Sequence, residues 1–187
     1  MGDWLSTQYI TSQVFVSIAY LLLASTYFIT QRRRLLLTVI TSNTSMGIGF
    51  ALLGGWVAVG MCIIAICRDI VSDIINSRRS PADKMKITKS DWWWLALWIS
   101  LFTTVMAFTQ TGFMTLFAYF ATMTFTISIW QKNQFIYRFL GIFVGIFWIT
   151  YNVVVKSFMG ITLESALLIF VIAGLIQYCI KERKSKR

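Results

Sequence analysis

The chain of 187 residues has no histidine, a single proline, three cysteines and seven acidic residues. Without histidine, the commonest general base, proton shuttle and metal ligand is gone, and zinc and haem chemistry are not expected. Cys62, Cys67 and Cys179 all lie inside apolar runs and lack the CxxC spacing of metal sites, so they read as small hydrophobes. Phosphate-binding glycine loops, nucleophile elbows and metal clusters are missing too. An intramembrane aspartyl protease would need aspartates on facing helices, whereas Asp69 and Asp73 fall on one. The chain is therefore not expected to be an enzyme or to carry a cofactor.

What it does have is apolar and aromatic residues, 57% and 16% of the total, and a mean hydropathy of +0.70. This places it among polytopic membrane proteins, with the lipid bilayer as its first partner. The net charge of +10 is confined to short segments between long apolar runs. That distribution marks topology and argues against a nucleic-acid surface.

A helix needs about 20 apolar residues to cross the hydrocarbon core. Seven runs meet or approach this: Tyr9 to Thr30, Leu35 to Leu53, Trp56 to Asn76, Trp92 to Thr109, Phe113 to Trp130, Ile136 to Val155 and Gly160 to Ile180. Between the second and third, Gly54 and Gly55 predict a tight helical hairpin. With the N-terminus outside, Arg32 to Arg34, the Arg78 to Lys89 cluster, Lys132, Arg138 and the tail "KERKSKR" fall inside, leaving Lys156 outside and Arg68 within a span. The positive-inside rule thus predicts an all-α protein of seven spans, N-out and C-in. "QRRR" after the first span is a stop-transfer flank, the reverse of a signal peptide's charge order. Trp56, the "DWWW" at Asp91 and Trp130 open or close spans as interfacial anchors.

The hydrophilic segment "SRRSPADKMKITKSD" separates three spans from four, which suggests a single membrane domain built as three plus one plus three. Residues 9–76 would form one triple-helix unit, 77–112 a basic cytoplasmic linker with a linker helix, and 113–182 a second unit in the same orientation. Gln13, Ser17, Tyr20 and Ala24 lie on one face of the first span, and Thr115, Tyr119, Thr122 and Thr126 repeat that spacing 102 residues later. Thr38, Ser42, Ser45 and Gly49 in the second span have near counterparts in Gly141, Gly145, Trp148 and Asn152 of the sixth. Such stripes either permit close helix packing or line a shared cavity.

Six residues are the candidate solute contacts: Arg68, Asp69, Asn43, Trp148, Asn152 and Glu164. A charge at the helix centre costs about 2.5 to 3.5 kcal/mol on insertion scales, so it needs a partner or a wet cavity. Arg68 lies about 18 Å along its span from Trp56, a little past the midplane. Asp69 points about 100° away around the helix, which predicts that the two do not pair, and it shares a face with Asp73 instead. Glu164 and Asn152 each sit about one turn inside the outer boundary, at similar depth. Arg68 thus faces either an anionic or zwitterionic solute group, or Glu164 or an aspartate in a structural lock.

"YFITQRRR", "FALLGGW", "IAICRDI" and "WITYNVVVKSFMGITLESALLIF" resemble the YgjV-type proteins of the bacterial inner membrane. The resemblance covers most of the chain, is carried by Arg68, Trp148, Asn152 and Glu164, and implies an address rather than a mechanism. The three plus one plus three plan is more distantly similar to the SWEET sugar facilitators and PnuC-type vitamin transporters. Those families use a tryptophan and asparagine neighbourhood near substrate, matched here by Trp148 to Asn152. The proline–glutamine pair of the PQ-loop group is absent, and no early span carries a proline to hinge on. This resemblance implies passage of a small polar solute through a cavity between two triple-helix units. The alternative is a non-transporting scaffold or accessory subunit, its buried charges structural, and either form is open to homo-oligomer formation.

Overall fold

The computed structural model describes residues 7–79, 87–109, 113, 115–131, 133–154 and 156–185. Among them every regular element is a helix: α1 (Thr7–Thr26), α2 (Arg32–Leu52), α3 (Trp56–Ser77), α4 (Lys89–Thr109), α5 (Thr115–Trp130), α6 (Gln134–Val154) and α7 (Phe158–Ser185). The protein is all-α, and five of the seven are long and apolar enough to cross a membrane. α3 falls short on charge, because any 18-residue stretch of it contains Arg68, Asp69 and Asp73. α5 falls short on length, its 16 residues spanning only about 24 Å.

The boundaries depart from the hydropathy reading where polar residues are good helix formers. The three arginines expected to flank the second span form the first turn of α2, behind Gln31 in extended geometry. α7 continues past Ile180 through the basic tail to Ser185, where Arg183 and Lys184 complement the dipole of its last turn. α1 instead stops at Thr26, short of the expected Thr30.

The chain divides into two compact units, Met1–Ser77 and Arg78–Arg187. In the first, α2 packs against both α1 and α3. The α1 contact is made by hydroxyls donating to facing backbone: Ser12 to Gly49 O (2.9 Å), Ser42 to Ala19 O (2.8 Å) and Ser45 to Phe15 O (2.7 Å). A Cβ on Gly49 would stand 2.9 Å from Val16 Cγ2 and 3.2 Å from Ser12 O, so the close approach requires glycine there. The Ser42, Ser45 and Gly49 stripe is therefore a helix-packing surface, while the Thr38 hydroxyl folds back onto Arg34 O.

In the second unit α5 packs on α4 and α6, and α6 on α7. Tyr119 Oη meets Thr103 Oγ1 of α4 at 2.9 Å, and Thr122 and Thr126 bond to carbonyls of their own helix. Gly145 admits Leu168 of α7 closely, at 3.1 Å from where a Cβ would lie. Arg79 clamps Asp91 through both carboxylate oxygens at 2.8 Å each, and Thr88 N–H donates to the same carboxylate at 2.8 Å. Asp91 thus closes a capping box at the start of α4 and holds the linker's Arg79 to it.

The two hairpins share one register. α6 begins and ends 102 residues after α2, and α7 begins 102 residues after α3. Gly54 (φ 71°) ends α2 in left-handed geometry, with Gly55 N–H bonded to Phe50 O and its own N–H to Ala51 O. Lys156 (φ 56°), again 102 residues on, ends α6 the same way: Ser157 N–H bonds to Asn152 O and Lys156 N–H to Val153 O. Both are Schellman turns.

Candidate functional site

The buried residues of α3 are Cys62, Ala65, Arg68, Asp69 and Ser72, a stripe at helical spacing. This stripe carries the polar cluster of the first unit. Arg68 Nε donates to Asp69 Oδ1 at 2.8 Å, with both side chains at most 1% exposed. That corrects the expectation that neighbours 100° apart would not pair. Cβ directions diverge by that angle, but the flexible arginine stem curls around the helix and brings Nε back to the shorter aspartate. In apolar surroundings, leaving either charge alone costs more than bending the stem.

α2 supplies the remaining groups. Asn43 Nδ2 donates to Asp69 Oδ2 at 3.4 Å, a long bond. Arg32 Nη2 donates to Ser72 Oγ at 3.2 Å, and the Arg32 charge acts on Asp69 as well. Arg33 reaches Asp73 at 3.9 Å near the helix end. Two guanidiniums, Arg32 and Arg68, thus bear on one buried carboxylate. Asp73 does not join them on its shared face, since it is engaged by Arg33.

Trp148, Asn152 and Glu164 belong to the second unit. Asn152 is buried and donates from Nδ2 to Trp148 O at 2.9 Å. Its side-chain amide lies directly over Gly160, where any Cβ would collide with it and stand 2.9 Å from Ser157 Oγ. Ser157 caps α7, accepting from Gly160 N–H at 3.2 Å. Trp148 packs edge-on to Tyr151 with centroids 5.7 Å apart. The approaches of Asn152 to Gly160 and of Gly145 to Leu168 fix the antiparallel register of α6 and α7, which sets the buried Glu164 level with Trp148. The structure therefore gathers Arg68, Asp69 and Asn43 in one unit and Trp148, Asn152 and Glu164 in the other.

Two further features escaped the sequence reading. Arg138, taken there only as a topology marker, is 1% exposed; it donates to Gln134 O and Oε1 at 3.1 and 3.2 Å and lies 4.9 Å from the Tyr178 ring centroid. The clue lay in its place within the run Ile136 to Val155 rather than before it. Trp130, expected as an exposed interfacial anchor, is instead buried, whereas Trp56, Trp92 and Trp93 are exposed as expected.

A family model described as Imp-YgjV, bacterial inner membrane protein, matches residues 10–182. The chain belongs to this family. As a YgjV-family member it is a bacterial inner membrane protein, and both candidate clusters fall within the matched stretch. No curated protein and no solved structure matches it, so the chemistry of these clusters rests on their geometry.

Proposed function

We propose that this YgjV-family protein passes a small anionic or zwitterionic solute across the bacterial inner membrane without chemical conversion. The observation that carries this reading is the Arg68, Asp69 and Asn43 cluster, buried far along α3 in a membrane protein. Helices of this unit can be joined more cheaply, as the serine-to-backbone bonds between α1 and α2 show. Charges at the α2–α3 contact cost more to bury, and a transported group that meets them accounts for their retention. In this reading the buried Arg68 guanidinium is the group that meets an anionic part of the solute.

In this reading α4 is a linker helix between two triple-helix units of the same orientation, N-out and C-in. The 102-residue register shared by the hairpins, and by the α1 and α5 stripes, supports such a duplication. The likeness to SWEET and PnuC rests on the sequence plan. Trp148 would supply an apolar wall, with Asn152 and Glu164 the polar contacts of the second unit, and rocking of the units would switch access.

Ligands would first be selected by thermal stabilisation from a panel of small anions and zwitterions. Uptake of a selected solute by proteoliposomes is then compared between wild type, Arg68→Lys and Arg68→Ala at equal incorporation. Loss of uptake in the alanine variant is expected; undiminished uptake sinks the mechanism. A scaffold role is the second reading, favoured by the short Arg68–Asp69 contact within one helix. It expects Arg68→Ala to lower detergent stability while no solute stabilises the wild type.

A further inference from the structure

We propose that α1 is the contact helix of a parallel homodimer. An open groove of about 370 Å³ runs along one face of α1, lined by Ile10, Gln13, Val14, Ser17, Ile18 and Leu21, with Tyr9 at its end. Ile10, Val14, Ile18 and Leu21 are exposed there, between 42% and 68%. Between them stand Gln13 and Ser17, whose side chains make no hydrogen bond among the described residues. α1 packs on α2 through a different face, that of Ser12, Phe15 and Ala19. The groove is thus left over once the fold of the first unit is complete.

A carboxamide in hydrocarbon without a partner is costly, and α1 is one of the five helices apolar enough to span. Lipid tails offer Gln13 neither donor nor acceptor. A second copy of this chain does, for a geometric reason. All copies insert with the same topology, so equal residues lie at equal depth, and a two-fold axis along the membrane normal brings Gln13 against Gln13. The carboxamide carries both donor and acceptor and is complementary to itself, and Ser17 against Ser17 is likewise. The steps of three and four residues from Ile10 through Gln13 and Ser17 to Leu21 form a seam of the kind two parallel helices share.

The test is subunit counting by single-molecule photobleaching in lipid bilayers over a range of protein-to-lipid ratios. Wild type is expected to dimerise, and Gln13→Leu to weaken the dimer about 5- to 30-fold, the range measured for interhelical polar pairs in model membranes. Gln13→Asn keeps a self-complementary amide and should retain most of the association. Thermal unfolding of Gln13→Leu in detergent should match wild type, because the Gln13 side chain makes no hydrogen bond among the described residues. A wild type monomeric at every density overturns the proposal, as does a Gln13→Leu protein that dimerises like wild type, which would leave Gln13 facing lipid only.

Discussion

Asp69 has two side-chain donors of very unequal quality, and that inequality is measurable. The Arg68 Nε bond is 2.8 Å and charge-assisted; the Asn43 bond is 3.4 Å and neutral on its donor side. Asp69→Asn removes the carboxylate charge beside a buried guanidinium and should destabilise by up to about 3–5 kcal/mol, whereas Asn43→Ala should cost less than about 1 kcal/mol. Reversible unfolding in mixed micelles compares the two; equal losses would mean that the amide, not the ion pair, organises the cluster. Gly160 offers a second residue-scale test. Gly160→Ala forces the Asn152 amide aside and should cost about 1–3 kcal/mol, and most of that loss should vanish in an Asn152→Ala background, where the collision no longer exists. At this scale the presence of Arg68 and its burial were legible, because a charge inside an apolar run admits few explanations. Its partner was not, since the curl of a long side chain is set by torsions that residue spacing does not encode. Arg138 was missed because a helix that starts at Gln134 rather than Ile136 carries the charge past the first turn, away from the end where a topology marker belongs.

At the scale of elements, the two Schellman turns carry the same geometry with different residues. Gly54 adopts positive φ at no steric cost, whereas Lys156 holds the equivalent place with a Cβ that crowds its own backbone. Gly54→Ala should therefore destabilise by about 1–2 kcal/mol. Lys156→Gly should stabilise by up to about 1 kcal/mol, the relief of strain being partly offset by the greater freedom of glycine in the unfolded chain. Calorimetric melting of the pair checks both signs, and a Lys156→Gly protein less stable than wild type would show that the lysine side chain earns its place by a contact. The adjacent glycines announced the first turn plainly. Nothing in "VVVKSF" announces the second, which is legible only by its distance from the first. The glycine and serine stripes were legible as faces, but packing and cavity lining ask for the same small residues, so only coordinates separate them. Three arginines in the first turn of α2 run against its dipole, and the contacts of Arg32 with Ser72 and Arg33 with Asp73 account for their place there.

At the scale of the molecule, the helices that fail the simple spanning test decide the topology. If α3 and α5 did not cross, five spans would remain, the termini would still lie on opposite sides, and the test of end location would not distinguish the two arrangements. The segment after α3 does. If the N-terminus is outside, seven spans make it cytoplasmic, together with Arg78, Arg79 and Lys89, whereas five put it outside and set a cluster of basic residues against the positive-inside rule. The charges that exclude α3 from the spanning set are largely neutralised within the first unit, Arg68 by Asp69 and Asp73 by Arg33, so their effective cost is well below that of bare ions. α5, at about 24 Å, is short of the roughly 30 Å hydrocarbon core by about one turn, a mismatch the bilayer accommodates by local thinning at fractions of a kcal/mol per ångström. Seven spans are therefore energetically reasonable. The prediction is that a cysteine at Ser77, labelled in intact spheroplasts with a membrane-impermeant maleimide, stays unreacted until the membrane is permeabilised, whereas one at Ser157 reacts at once. The native Cys62, Cys67 and Cys179 lie within helices, and the unmodified protein supplies the background. Immediate labelling at Ser77 would remove α3 from the membrane, and with it the reason for placing Arg68 at membrane depth.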